Sequence, residues 1–322
     1  MYYPYFRGKQ YELITVRESA SLLASSGFVP IIEPVREHLS GLEKALKSLA
    51  KHNAASIIIA NPQLGDHRDD GEKLRTFIGD NFADYQQLQI GCLLTEEMKK
   101  EDALEECKRH DSNRDIALIH AGFSGAKSLG EIVQQELPNV ATNVFLEDYC
   151  GKLYQRHFKK LGTNVLVRDG YVARKRNRDH PDRPEFFSDL HITYPDENVD
   201  GFGDFLMVGD DFPEGGGRAY TVAIHLTFID SDNDDAMHIQ HFKSDRQDTP
   251  IDPAGKFQEA LIKLVAAVQE PGSKFYKTEA VDEFCDLHDR GHFPGLGYVK
   301  KLSMKHHIET LAKFFEISET EK

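Results

Sequence analysis

At 322 residues with 40% hydrophobic content, the chain is long enough to bury a large core, and its formal charge of −14 argues against broad, non-specific adhesion to nucleic acid. Four cysteines, Cys92, Cys107, Cys150 and Cys285, lie far apart with no CxxC pair, so reduced thiols are expected in place of a zinc ribbon or a disulfide framework. No apolar run nears the roughly 18 residues needed to cross a bilayer, and the aromatic stretch 1–7 does not read as a signal peptide; a soluble, cytoplasmic protein is expected.

Short runs rich in Val, Ile and Leu recur at 2–6, 28–32, 56–60, 88–94, 115–119, 143–146 and 163–167. Each is too short for a helix and apolar at nearly every position, the pattern of strands buried on both faces. Amphipathic segments fall between them. Ser40 is placed to cap an expected helix over 41–51, where Leu42, Leu46 and Leu49 form one stripe, Asp70 precedes 72–82, and 101–109 and 128–137 continue the pattern. Strands alternating with helices predict a parallel sheet closed as a (β/α)8, TIM-barrel-like fold.

The rhythm breaks after 163–167. Two segments compete for the eighth strand, 205–208 and 220–228, and the first is preferred. That leaves 220–229 and 237–242, flanking the acidic turn 230–235, as a β-hairpin inserted above the barrel mouth. Asp252 and Pro253 open a helix near 255–268, and helices at about 278–289 and 299–315 close the chain. The expected organisation is a barrel-like domain over 1–270, with the hairpin near 219–243, and a C-terminal helical extension over 271–322 packed on the barrel.

Chemistry in such barrels sits on the loops that leave the strand C-terminal ends. The residues ending the runs are therefore the candidates: Glu33, His120, Asp148 and Asp169 as acid–base groups or metal ligands, Asp204 (or Asp210) as a further acid–base group, and Arg7, Lys9, Asn61 and Arg168 as ligand-binding groups. Guanidinium forks suit anionic oxygens, so a pocket for a phosphorylated or otherwise anionic small molecule is one expectation. The competing one is that strand ends are polar simply because loops meet water.

Other patterns carry less. Asp230, Asp232 and Asp234 fail the calcium-loop test, with Asp235 where Gly belongs and His241 where Glu belongs. His288 and His292 share an i, i+4 spacing, but Gly291 and Pro294 break the helix and no HExxH glutamate lies between them, so no metal site is expected. Gly215, Gly216 and Gly217 lack the P-loop lysine and read as a flexible turn. The basic segment 168–183, with Arg168, Arg174, Lys175, Arg176, Arg178, His180 and Arg183, reads first as a solvated loop and second as the one place for phosphate or nucleic acid.

Several tracts carry a resemblance: YYPYFRGKQYEL from Tyr2, FVPIIEPV from Phe28, FSDLH from Phe187, GFGDF from Gly201, YTVAIHLTF from Tyr220, HFKSD from His241, DPAGKF from Asp252 and PGLGYVKKLSMKHHIE from Pro294. Together they resemble an uncharacterised bacterial family related to the Beta protein family of bacteria and their mobile elements. The resemblance implies a barrel-like α/β fold, a C-terminal helical block ending in the histidine pair, and frequent encoding beside a small companion gene among mobile and phage-defence genes. It implies no reaction and no cofactor. Its motif positions are Arg7, Lys9, Glu12, Glu33, Asp189, His191, Asp204, His225, Ser244, Asp245, Asp252, Lys256, His306 and His307. Of these, His225 is expected in mid-strand, where a hydrogen-bonded core or surface histidine is the common outcome.

Two function classes follow. The first is a component of a two-gene, mobile-element or phage-defence-associated system that acts through a companion protein from the neighbouring gene. The second is a barrel enzyme, of hydrolase or phosphodiesterase type, acting on a phosphorylated or nucleotide-like ligand.

Overall fold

The computed structural model describes every residue except 69–70, 110–113, 213–216 and 321–322, so the expected cap Asp70 and the glycines 215 and 216 lie outside the described residues. Contacts divide the chain into two units, Met1–Asp169 with Leu190–Phe205 and Gly170–Asp189 with Leu206–Lys322.

The first unit is a (β/α)8, TIM-barrel-like fold. Its strands run parallel in the order β1 (Tyr5–Phe6), β2 (Ile31–Ile32), β3 (Ser56–Ile59), β4 (Leu88–Thr95), β5 (Ile116–Ala121), β6 (Val140–Leu146), β7 (Thr163–Val167) and β9 (Gly201–Gly203), while β8 (Glu185–Ser188) belongs to the second unit. Helices α1 (Gln10–Glu18), α2 (Ala20–Ser25), α3 (Ser40–Lys51), α4 (Glu72–Phe82), α5 (Lys100–Lys108), α6 (Ala126–Glu136), α7 (Lys152–Gln155) and α8 (Leu190–Thr193) lie between the strands. The α3 stripe faces inward as its spacing predicts, with Leu42, Ala45, Leu46 and Leu49 all buried.

Alternate residues of each strand fill the interior. Tyr5, Ile31, Ile57, Ile59, Leu93, Ile119, Val144, Leu146, Val165, Val167 and Phe205 make one buried cluster, the branched layering usual in such barrels. The ring is completed by a parallel bridge between Tyr2 and Phe202 and by Tyr3 N donating to Phe202 O at 2.8 Å and Tyr5 N to Asp204 O at 2.9 Å.

The closing strand is thus Gly201–Gly203, and the expected strand at 205–208 does not form. A side chain on Gly203 would place its Cβ 2.2 Å from Tyr3 O, so glycine is what allows the last strand this close to the first. Leu206 adopts φ 53°, which ends any extended run after Phe205.

The second unit holds an antiparallel sheet in the order β10 (Ala223–Asp230), β11 (Ala236–Lys243), β8. It also holds helices α9 (Pro253–Gln269), α10 (Glu279–Asp289) and α11 (Leu296–Thr320). The expected hairpin is β10–β11. Its turn uses left-handed Asp234 and Asp235, which short polar side chains tolerate, and Asp230 Oδ1 accepts Asp232 N at 3.1 Å. Asp252 caps α9 by accepting Gly255 N at 2.9 Å, with Pro253 at the first turn. Leu226, Phe242, Phe257, Leu261, Leu264, Phe284 and Leu302 share its core.

The histidine pair of α11 is part of that core. His306 bonds Thr278 Oγ1 at 2.8 Å and Thr227 O at 2.9 Å, and His307 bonds Thr227 Oγ1 at 2.9 Å, so the pair anchors α11 to β10 and to the start of α10. All four cysteines are free thiols. Among the described residues no helix is long and apolar enough to cross a membrane.

Candidate functional site

The inward rows of β1, β2 and β3 continue past the strand ends to Arg7, Glu33 and Asn61. Arg7 Nη1 meets Glu33 Oε2 in an ion pair whose side chains are 8% and 0% exposed. Glu33 also accepts the Tyr5 hydroxyl at 2.9 Å and Gln63 N at 3.1 Å. The guanidinium lies 4.9 Å from the Tyr5 ring centre and 5.2 Å from that of Phe205. Burying both charges is costly, and here the hydrogen bonds to the carboxylate and the two aromatic faces offset part of that cost.

The other ligand-binding candidates are engaged elsewhere. Asn61 donates to Leu93 O at 2.9 Å and accepts Leu93 N at 2.8 Å, extending the β3–β4 pairing with its side chain. Arg168 makes a two-point contact with Glu147 at 2.6 and 2.9 Å and lies 3.6 Å from Glu197. Lys9 is the residue before α1, in extended conformation and partly exposed.

The acid–base candidates separate. His120 alternates with the inward Ile119, so it points away from the barrel interior. Its ring stacks on Phe145 at 4.8 Å and packs on Phe158 at 4.4 Å, with Tyr154 OH at 2.9 Å and Asn143 Oδ1 at 3.3 Å. Burial pushes its pKa down to about 3, so it is a neutral core residue and not a group of the mouth. Asp204 accepts the Tyr2 hydroxyl at 2.8 Å in the barrel-closing seam. Asp148 is exposed and Asp169 half-buried, and Asp210 belongs to the second unit. Of the predicted set, the structure brings Arg7 and Glu33 into one ion pair.

A recess of about 170 Å³ lies on the barrel's flank, lined by Phe145, Lys152, Gln155, Arg156, Lys159, Asn164, Glu197, Asn198 and Val199. Three of its nine lining residues are cationic, and Lys152 pairs with Glu197. Sequence reading missed it because these cations follow β6 without any motif.

The second unit holds a cluster that spacing did not reveal. His225 on β10 and His241 on β11 are directly opposed partners in the antiparallel register, with their Nδ1 atoms 2.6 Å apart. His180, which follows a 3-10 turn at Asn177–Asp179, joins them: its ring centre lies 4.2 Å from that of His241 and 5.1 Å from that of His225. His241 Nε2 bonds Glu185 Oε1 at 2.8 Å, and Arg174 holds the other oxygen of Glu185 at 2.9 Å. Tyr171 OH lies 3.1 Å from His180 Nε2. Burial lowers the pKa of all three histidines, that of His180 to about 4; neighbouring histidines add to the effect at His180 and His225, while at His241 the Glu185 carboxylate opposes it.

Of the basic segment, Arg168, Arg174 and Arg178 have carboxylate partners in Glu147, Glu185 and Asp179. Its structural contribution is to deliver His180 to the cluster.

Fold and side chains together define the class: a (β/α)8 barrel protein with a buried arginine–glutamate pair at the strand ends and a three-histidine cluster in its second unit. Comparison with protein-family models, with curated proteins and with solved structures finds no match.

Proposed function

We propose that the protein is a component of a bacterial two-gene, mobile-element or phage-defence-associated system and acts by binding a companion protein. The observation that carries this reading is an apolar rim: Tyr149 and Leu153, four residues apart after β6, are 51% and 73% exposed. Glu147 and Lys152, which stand beside them in sequence, are held in the ion pairs Arg168–Glu147 and Lys152–Glu197. Exposed aromatic and aliphatic side chains rimmed by charge are the usual make-up of a protein-binding patch. The dispersal of His120, Asp148 and Asp204 into separate surroundings also favours binding over acid–base chemistry at the mouth. The test is co-expression with the product of the adjacent gene, followed by native mass spectrometry. A complex of fixed stoichiometry that Tyr149→Ser/Leu153→Asp abolishes supports the reading; no complex, or one the double variant retains, overturns it.

A second reading has its own support in the flank recess, where Arg156 and Lys159 stand beside Lys152 around about 170 Å³. This suits the phosphate of a nucleotide-like ligand. Thermal shift with nucleoside phosphates, lost in Arg156→Ala/Lys159→Ala, would favour it.

A further inference from the structure

We propose that His180, His225 and His241 form a site for one divalent transition metal of the zinc class, with Glu185 orienting His241 and a fourth position open to water or an anion. The site is independent of the companion-protein reading, since all four residues belong to the second unit.

One ring nitrogen of each histidine lies within 4.8 Å of those of the other two. The backbone holds them there. The β10–β11 register fixes His225 against His241, and the loop bearing His180 is tied by Asn177 Nδ2 to Thr221 O at 3.0 Å and by Lys243 Nζ to the His180 carbonyl. A zinc-type ion with bonds of about 2.0–2.1 Å in tetrahedral geometry needs nitrogens about 3.3 Å apart. The His225 and His241 rings, at 2.6 Å, must therefore part by about 0.7 Å.

The hydrogen bonds assign lone pairs. A carboxylate only accepts, so Glu185 fixes the proton of His241 on Nε2 and leaves a lone pair on Nδ1. This carboxylate–imidazole arrangement is the one that orients metal-bound histidines. That Nδ1 faces Nδ1 of His225, where one proton can sit between the two rings. For both atoms to bind an ion, His225 shifts its proton to Nε2, and no net charge is lost.

His180 supplies a second, separate observation. Its Nδ1 is buried and has no hydrogen-bond partner, while Nε2 meets Tyr171 OH. An unsatisfied buried nitrogen is destabilising, and ligation would satisfy it.

The surroundings choose the ion. Glu185 is the acid bonded to the cluster, whereas Arg174, Lys243 and Lys300 raise the local potential. Calcium and magnesium need several oxygen ligands and are disfavoured; imidazole nitrogen suits zinc, cobalt, nickel and copper. Three protein ligands leave a fourth position open, the arrangement of catalytic sites, and the nearby cations favour hydroxide or another anion there.

The experiment is metal loading of the full chain. Chelator-stripped protein is dialysed against Zn²⁺ or Co²⁺, and metal is counted by mass spectrometry and titrated against a competing chelator. The expected result is one ion per chain, the intense visible absorption of four-coordinate Co²⁺, loss of both in His180→Ala and His241→Ala, and 10–100-fold weaker binding in Glu185→Gln. His38→Ala, at an exposed position, should change nothing. A folded wild-type chain that takes up no metal overturns the proposal, as does equal uptake by the triple His→Ala variant. Should the variants fail to fold, the wild-type Co²⁺ spectrum still decides: six-coordinate absorption alone sinks the site.

Discussion

The Tyr2 hydroxyl donates to Asp204 Oδ1 at 2.8 Å across 202 residues of sequence, joining the approach to β1 with the residue that follows β9. Tyr2 is 0% and Asp204 5% exposed, so neither group has ready access to water. Burial and the neighbouring carboxylate raise the Tyr2 pKa, which keeps the hydroxyl protonated as a donor. Asp204→Ala should lose about 1–3 kcal/mol by stranding that hydroxyl, read as a lower urea midpoint at unchanged slope. A catalytic Asp204 predicts the opposite in Asp204→Asn, with lost function at unchanged stability.

Arg7 and Glu33 form a buried ion pair at the ends of β1 and β2. Removing one partner leaves a buried charge, so Glu33→Gln should cost about 3–5 kcal/mol. Arg7→Met/Glu33→Gln should be less destabilised than the sum of its single variants. A double-mutant cycle by denaturant unfolding measures that coupling, and strict additivity would show that the pair is not energetically joined.

Stability should fall as pH drops from 7 toward 5. His120 and His306 are fully buried and titrate in the folded chain at about 3 and about 4, mainly because burial disfavours the charged ring. Above their unfolded value near 6.5 both states are neutral and nothing is contributed. Below it the unfolded chain binds protons that the folded chain refuses, so stability is lost until the folded value is reached. At pH 5 this amounts to about 2 kcal/mol for each histidine. Urea midpoints at pH 7, 6 and 5 check it; in His120→Phe, which keeps an aromatic ring but cannot bind a proton on unfolding, the slope of stability against pH should be smaller.

Much of the barrel was legible in the sequence because its strands are apolar on both faces. Runs such as 56–60 and 163–167 return as Ser56–Ile59 and Thr163–Val167. The closing strand was not, since Gly201, Phe202 and Gly203 contribute closeness instead of hydrophobicity. β8 was missed for a similar reason: Phe186 and Phe187 lie in a stretch dense in Pro, Arg and Asp. The histidine cluster was half legible. His225 and His241 are equidistant from Asn233, so a hairpin register centred on that residue already opposes them. His180 arrives from a separate loop, and no spacing rule connects it with the hairpin. His120 shows the limit of reading strand ends, because a residue at the end of an apolar run can face either side of the barrel.

Two glycine substitutions should move stability in opposite directions. Gly203→Ala puts its Cβ 2.2 Å from Tyr3 O and 3.1 Å from Val167 Cγ2. The Tyr3 backbone cannot withdraw without breaking its 2.8 Å bond to Phe202 O, and that bond is one of the few that close the ring. The cost should reach or exceed the roughly 1–3 kcal/mol typical of overpacking. Gly79 lies inside α4 with nothing within 4 Å of its would-be Cβ. There, Gly79→Ala should stabilise by about 0.5–1 kcal/mol, because alanine loses less backbone entropy in forming a helix. Thermal or urea unfolding of the two variants side by side checks both. If Gly203→Ala were as stable as the wild type, the narrow β9–β1 seam would not be what closes this barrel.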